Sequence, residues 1–219
     1  QGRLTQGDAA AALSGVSTNS RTVQRGDLFI ALPGETFDGH AFVQAALEAG
    51  AAAAVISREM NGLPADAALV RVHDTLAAYQ ALGGWWRAHM PARVAGITGS
   101  NGKTTTKEML AHLLGVLGDT LWSEGNHNNH VGVPETLLRI RPEHAFAVVE
   151  LGTNHFGEIP PIARITRPHV GIITNIGPTH LKAFGSEAGV AREKSTMLDS
   201  LEQGGLAVLH ADDPWSREI

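Results

Sequence analysis

The chain has 219 residues, 43% of them apolar, with 17 basic against 22 acidic side chains and no cysteine. That balance excludes a chain too polar to bury a core, argues against broad nucleic-acid binding, and rules out disulfides, thiolate nucleophiles and thiolate metal sites. No apolar run approaches the roughly 20 residues that span a bilayer, and no basic-then-apolar secretion pattern opens the chain, so a cytoplasmic protein without a membrane span is expected.

Residues 1–90 read as one small α/β unit. The run from Asp27 to Leu32, closed by Pro33 and Gly34, predicts a strand and a turn. Phe42, Val43, Ala46 and Leu47 recur at helical spacing between His40 and Ala49, with Gly50 as the stop and Ala53–Ile56 as the next strand. A third apolar run, Ala68–Val72, leads to Asp74, an N-cap for a helix through Trp86. Leu76, Tyr79, Leu82 and Trp86 share a face of that helix, which fits a core stripe or an aromatic ligand platform.

From residue 91 to residue 219, strands and helices alternate in the order that builds a parallel sheet with crossover helices. Val94–Thr98 is a strand and Lys103–Leu117 a helix with Met109, Leu110, Leu113, Leu114 and Leu117 as its apolar face. Ala145–Leu151 and Val170–Ile176 are further strands, Ser186–Leu201 a helix, and Leu206–His210 a last strand. The fold class expected is therefore α/β: a small α/β domain over 1–90, then an incomplete three-layer domain over 91–219.

The stretch Gly96-Ile-Thr-Gly-Ser-Asn-Gly-Lys-Thr-Thr-Thr106 sets a glycine-rich turn between a strand and a helix. Its backbone N–H groups and the positive end of the helix dipole make a phosphate cradle, with Lys103 facing the β and γ phosphates and the Thr104 hydroxyl facing Mg²⁺. The strict pattern is not met, because Ile97 stands at its first glycine. Glu150 closes an apolar strand, either as a solvated strand end or as the metal carboxylate of the same sheet edge. His180, in Asn175-Ile-Gly-Pro-Thr-His180, reaches that edge too. His127, His130 and His155 lack zinc spacing and read as substrate-side or merely polar.

These residues resemble the ATP-dependent Mur ligases of bacterial cell-wall synthesis. The resemblance rests on the phosphate loop, on Gly125–Pro134 with Glu135–Leu138, on Glu150–Ile159, on Thr174–His180, and on Arg192–Lys194. It extends to Val16–Arg21, Gly26–Gly34 and Asp38–His40, and it points to the branch that adds D-alanyl-D-alanine. Asn19 departs from the family, which usually has an acidic residue there, and the chain is about half the usual length, as if a third, amine-binding domain were missing.

What the resemblance implies is a P-loop-type ATP-binding domain behind a UDP-sugar domain, working as a monomer on UDP-N-acetylmuramoyl-tripeptide and D-alanyl-D-alanine with ATP and Mg²⁺. Gly99, Ser100, Asn101, Gly102, Lys103, Thr104, Thr105 and Asn175 would bind the nucleotide. Thr104, Glu150, His180 and Lys194 would serve the metals, with Lys194 carbamylated by CO2. Lys103, Lys194 and His180 would be catalytic. Ser20, Arg21, Asn128 and Asn129 would meet the substrate, although Asn128 and Asn129 equally suit turns. A ligase adding the third peptide residue, a folate-type glutamyl ligase, and a nucleotide-binding module without chemistry remain alternatives.

Overall fold

A computed structural model describes residues 2–34, 37–64 and 67–219, which separate into two compact units, Gln1–Tyr79 and Gln80–Ile219. The division falls inside a helix, about ten residues before the boundary expected from sequence.

Among the described residues the first unit holds five strands, β1 (Arg3–Gln6), β2 (Gly15–Ser17), β3 (Asp27–Ile30), β4 (Ala53–Ile56) and β5 (Ala68–Arg71), with helix α1 (Val43–Glu48). The sheet order is β1-β5-β4-β3-β2, parallel except for β1, which runs antiparallel to β5. All four residues of β3 and of β4 are buried, as strands covered on both faces require. A short 3₁₀ turn, Gly39–Phe42, precedes α1, so the expected helix starts later than its apolar spacing suggested. Asp38 holds that turn, accepting from the His40 N–H at 2.9 Å and meeting His40 Nδ1 at 2.6 Å.

Helix α2 (Thr75–His89) begins at Asp74, whose Oδ1 accepts from the N–H groups of Leu76 and Ala77. Tyr79 is buried, Leu76, Leu82 and Trp86 are half-buried, and Trp86 donates its Nε1–H to the Ile140 carbonyl at 2.7 Å.

The second unit adds β6 (Arg93–Thr98), α3 (Lys103–Gly115), β7 (Thr120–Trp122), α4 (Gly132–Leu138), β8 (Phe146–Glu150), α5 (Ile159–Thr166), β9 (Val170–Ile173), α6 (Leu181–Phe184), α7 (Glu187–Ser195), β10 (Leu206–Leu209) and α8 (Pro214–Glu218). Its sheet is wholly parallel, in the order β10-β9-β6-β8-β7. Val133 and Leu137 of α4, Ile159 and Ile162 of α5, and Val190 of α7 pack on one face, against Val94, Ala147, Val149 and Ile173. Helix α3 covers the other, against Ile97 and Val148. Because β6 lies between β8 and β9, the chain leaving its carboxyl end enters the crevice where such sheets collect ligands.

The apolar face expected of α3 is corrected in part: Leu110 and Leu114 pack against Ile97, Ala111 and Val148 as expected, but Met109, Leu113 and Leu117 do not. Lys107 and Ala111 are buried, whereas Met109, Leu113 and Leu117 are 62%, 66% and 74% exposed. The face of α3 turned to the sheet runs through Lys107, Leu110, Ala111 and Leu114, with Thr104 at its start meeting Glu150. The expected helix over 186–201 also divides, into α7 and a 3₁₀ turn at Leu198–Ser200. Among the described residues no helix is long and apolar enough to cross a membrane.

Candidate active site

The turn after β6 is built for close approach. Gly99 has φ +147°, and a Cβ there would lie 1.9 Å from Thr174 Oγ1; Gly102 has φ +78°, which L side chains rarely adopt. The turn is fastened to the segment after β9. Ser100 N–H donates to the Asn175 carbonyl at 2.9 Å, and Asn101 N–H donates to Asn175 Oδ1 at 3.0 Å. Asn175 Nδ2 returns a bond to the Asn101 carbonyl at 3.1 Å, and Ser100 Oγ accepts from Gly177 N–H at 2.9 Å. Asn175 thus shapes the loop through both its amide atoms.

Among the described residues no side chain caps α3 at Gly102, so the N–H groups of its first turn, from Lys103, Thr104 and Thr105, face outward without an intrahelical acceptor. An anion suits that position. Lys103 folds back over the loop, donating to the carbonyls of Gly99 at 2.9 Å and Ser100 at 3.4 Å. Burial pulls its pKa down, and the nearby Glu150 charge raises it part of the way back.

Glu150 is no solvated strand end. It closes β8, which is flanked by β6 and β7, and is 1% exposed. Its Oε2 accepts from the Thr104 hydroxyl at 3.0 Å and its Oε1 from Asn128 Nδ2 at 2.9 Å. A buried carboxylate beside a hydroxyl at the mouth of a phosphate cradle fits a hard cation that takes few protein oxygens and completes its shell from phosphate and water. Among the described residues no three His, Asp or Glu side chains form a fuller metal cluster.

Lys103, Asn128, Asn129, His130 and His180 line one cleft of about 390 Å³, together with Glu158. His180 enters it exposed, with φ 50° at the start of α6, its ring edge-on to Phe184 at 6.4 Å. Asn129 is mainly a turn former, its Oδ1 accepting from Val131 and Gly132 N–H. Asn128 holds Glu150 through its side chain and the 152 segment through its carbonyl, which accepts from Gly152 N–H at 2.7 Å. Sequence reasoning passed over Glu158, whose Oε2 accepts from the N–H groups of Asn154 and His155 and from the Thr153 hydroxyl. His127 and His155 pair with Glu135 and Glu158.

Lys194 is 2% exposed on α7. Burial, then the positive charge of Lys103, lower its pKa to about 8 against a partial rise from Glu193. Glu193 points elsewhere, accepting from Gly157 N–H at 2.9 Å and Ile159 N–H at 2.8 Å at the start of α5. Ser20 and Arg21 lie in the first unit, in a turn held by Asn19 Oδ1, which accepts from Arg21 N–H at 3.0 Å.

Residues 97–219 match the family model of the Mur ligase middle domain, and residues 12–84 match that of the Mur ligase family catalytic domain. UDP-N-acetylmuramoyl-tripeptide–D-alanyl-D-alanine ligase of Escherichia coli K12 is 44% identical over 201 residues, covering 92% of this chain and 44% of the relative. The Bacillus subtilis enzyme of that name is 40% identical over 202 residues, with the same coverages. The chain therefore spans less than half the length of these curated relatives. A crystal structure of MurF from Acinetobacter baumannii superposes with a TM-score of 0.88 at 41% identity, covering 94% of this chain and 45% of that one. MurF ligase from Thermotoga maritima in complex with ADP superposes at 0.86 with 29% identity, covering 96% and 49%.

Proposed function

This chain belongs to the Mur ligase family, and from that premise we propose that it serves an ATP-dependent ligase of peptidoglycan precursor synthesis, joining D-alanyl-D-alanine to UDP-N-acetylmuramoyl-tripeptide in the cytoplasm. The observation that carries the reading is the contact of the Thr104 hydroxyl with the buried Glu150 carboxylate, beside Lys103 and an uncapped helix start.

In the proposed reaction the tripeptide's terminal carboxylate attacks the γ-phosphorus of ATP, ADP leaves, and an acyl phosphate forms. The amine of D-alanyl-D-alanine then attacks the acyl carbon, inorganic phosphate leaves, and the amine gives up its proton as the amide forms. Two anions must meet in the first step, so the site needs fixed positive charge. Lys103 and the first-turn N–H groups of α3 supply it to the phosphates, and Gly99–Thr105 with Asn175 hold the loop in shape. Thr104 and Glu150 would hold Mg²⁺, which supplies charge neutralisation between the phosphate oxygens. His180 and Lys194 are assigned to the carboxylate side. Burial and the charge of Lys103 lower the Lys194 pKa to about 8, which favours the neutral amine, the form that takes up CO2 to become the carbamate anion. Asn128 and Asn129 in the cleft, and Ser20 and Arg21 in the first unit, are assigned to the peptide and UDP ends of the substrate.

Calorimetric titration of the chain with ADP, with and without Mg²⁺, tests the nucleotide site. Phosphate release by the full-length enzyme tests the reaction, with UDP-muramoyl-tripeptide present and D-alanyl-D-alanine compared with meso-diaminopimelate, lysine and glutamate. Release that follows any amine other than D-alanyl-D-alanine overturns the substrate assignment.

A further inference from the structure

Lys107 has no part in the chemistry above, yet its side chain is completely buried. It lies on α3 one turn beyond Lys103 and one turn before the buried Ala111. A buried ammonium is expensive unless its protons are met. Here Nζ donates to the Gly125 carbonyl at 3.0 Å and pairs with Glu108 Oε1 at 3.1 Å.

Gly125 sits in an exposed turn, closed by bonds from His127 N–H to the Glu124 carbonyl and from Asn128 N–H to the Asn126 carbonyl. Both ends of the segment carrying this turn grip Glu150. At one end Ser123 Oγ accepts from the Glu150 N–H at 3.1 Å; at the other Asn128 Nδ2 donates to Oε1 at 2.9 Å. With Oε1 engaged by an amide donor, Oε2 is the oxygen that faces Thr104. Between those two ends the segment is tied back to α3 by Lys107.

We propose that Lys107 is a positioning residue for the cation side of the site: by holding the 124–127 turn against α3 it sets Asn128, and through Asn128 the rotation of the Glu150 carboxylate. The proposal rests on the reading of Thr104 and Glu150 as the residues that hold the divalent cation. It differs from a general stabilising role in one respect. Loss of the tether should affect the cation-linked part of nucleotide binding and leave the phosphate cradle of α3 in place.

The test is calorimetric titration of the 219-residue chain with ADP, in EDTA and in Mg²⁺, for the parent, Lys107→Met and Lys107→Arg. In the parent, Mg²⁺ should tighten ADP binding. Lys107→Met should keep the Mg²⁺-free affinity but lose about 10- to 100-fold of the Mg²⁺-linked gain, the usual size of an effect on groups that orient a metal ligand. Lys107→Arg, which keeps a charged donor on a long stem, should recover part of it. Should Lys107→Met fail to fold, judged by far-ultraviolet circular dichroism, Lys107→Gln makes the same comparison. A folded Met or Gln variant that retains the parent's full Mg²⁺-linked gain, or loses Mg²⁺-free affinity by the same factor, overturns the proposal. A parent that binds ADP with no Mg²⁺ linkage overturns instead the Thr104–Glu150 reading, and the role of Lys107 with it.

Discussion

Thr104 and Glu150 stand 46 residues apart in sequence and meet side chain to side chain at 3.0 Å. The parallel pairing of β6 with β8 sets Ile97 opposite Glu150, so the carboxylate arrives at the level where β6 turns into the phosphate loop. The meeting is therefore a product of sheet register, and it places an acceptor where a cation bound to phosphate would need one.

Replacing Glu150 by Gln keeps the shape and removes the charge. Mg²⁺-free ADP affinity should hold or rise, since repulsion of the phosphates is relieved, while the Mg²⁺-linked gain should fall by about 10- to 100-fold. Titration in EDTA and in Mg²⁺ separates the two, and an unchanged Mg²⁺ dependence would remove Glu150 from the cation site.

Lys103→Met should weaken ADP binding by about 10- to 100-fold, the equivalent of one charge-assisted hydrogen bond of roughly 1.5–3 kcal/mol. Its half-buried stem is replaced by one of similar length, and the two loop carbonyls it meets lose one donor, so the thermal midpoint should fall only modestly while ADP affinity carries the main effect. Equal ADP affinity in the two proteins would sink the phosphate-loop assignment.

Glu193 gives a prediction about stability alone. It is 3% exposed and accepts from the Gly157 and Ile159 N–H groups, one of them the first residue of α5. Glu193→Ala leaves both donors without a partner and should cost about 2–4 kcal/mol, read from urea midpoints. Glu193→Gln, which keeps one acceptor oxygen, should lose about half of that. Equal midpoints for Ala and the parent would refute the capping role.

Much of this site was legible in the sequence because its signals are local. The run through Gly99, Gly102 and Lys103, after an apolar strand and before a helix, fixed the cradle without any knowledge of the rest. Glu150 is legible as the end of a strand, and His180 as a residue of the segment that follows the next strand of the same sheet, seven residues past the end of β9. What escaped depends on contacts between distant elements. Lys107 reads as one more charged residue on a helix surface, and only the docking of α3 on β6 and β8 shows that it is buried while Met109, Leu113 and Leu117 are exposed. Strand β7 has three residues and α4 opens with Gly132, Val133 and Pro134, so neither carries enough period to be read. Glu158 carries no local signal, because its bonds to the Asn154 and His155 N–H groups exist only where the 154–158 segment turns back on itself.

Lys194 supplies the sharpest test, because the sign of its effect is unusual for a lysine. Its pKa is near 8 in the folded chain, lowered first by burial and next by the charge of Lys103, against an ordinary value of 10.5. Below pH 8 the amine is protonated both folded and unfolded, and the fold carries the whole cost of burying that charge. Between pH 8 and 10.5 the unfolded chain binds more protons than the folded one, so stability contributed by this group rises with pH. At roughly 1.4 kcal/mol per unit, the interval corresponds to about 3 kcal/mol. Lys194→Met removes the titrating group and fills similar space. It should therefore be more stable than the parent at pH 7, by up to about 3 kcal/mol, and the advantage should shrink as pH rises through 8 and vanish near 10.5. Adding bicarbonate should narrow the gap at pH 8 by converting the parent's neutral amine to a carbamate, whose negative charge is attracted by Lys103. Urea denaturation of both proteins across pH 6–11, with and without bicarbonate, reads these effects. A stability difference that is flat across that range would mean that Lys194 keeps an ordinary pKa, and that the carbamate has no neutral amine from which to form near neutral pH.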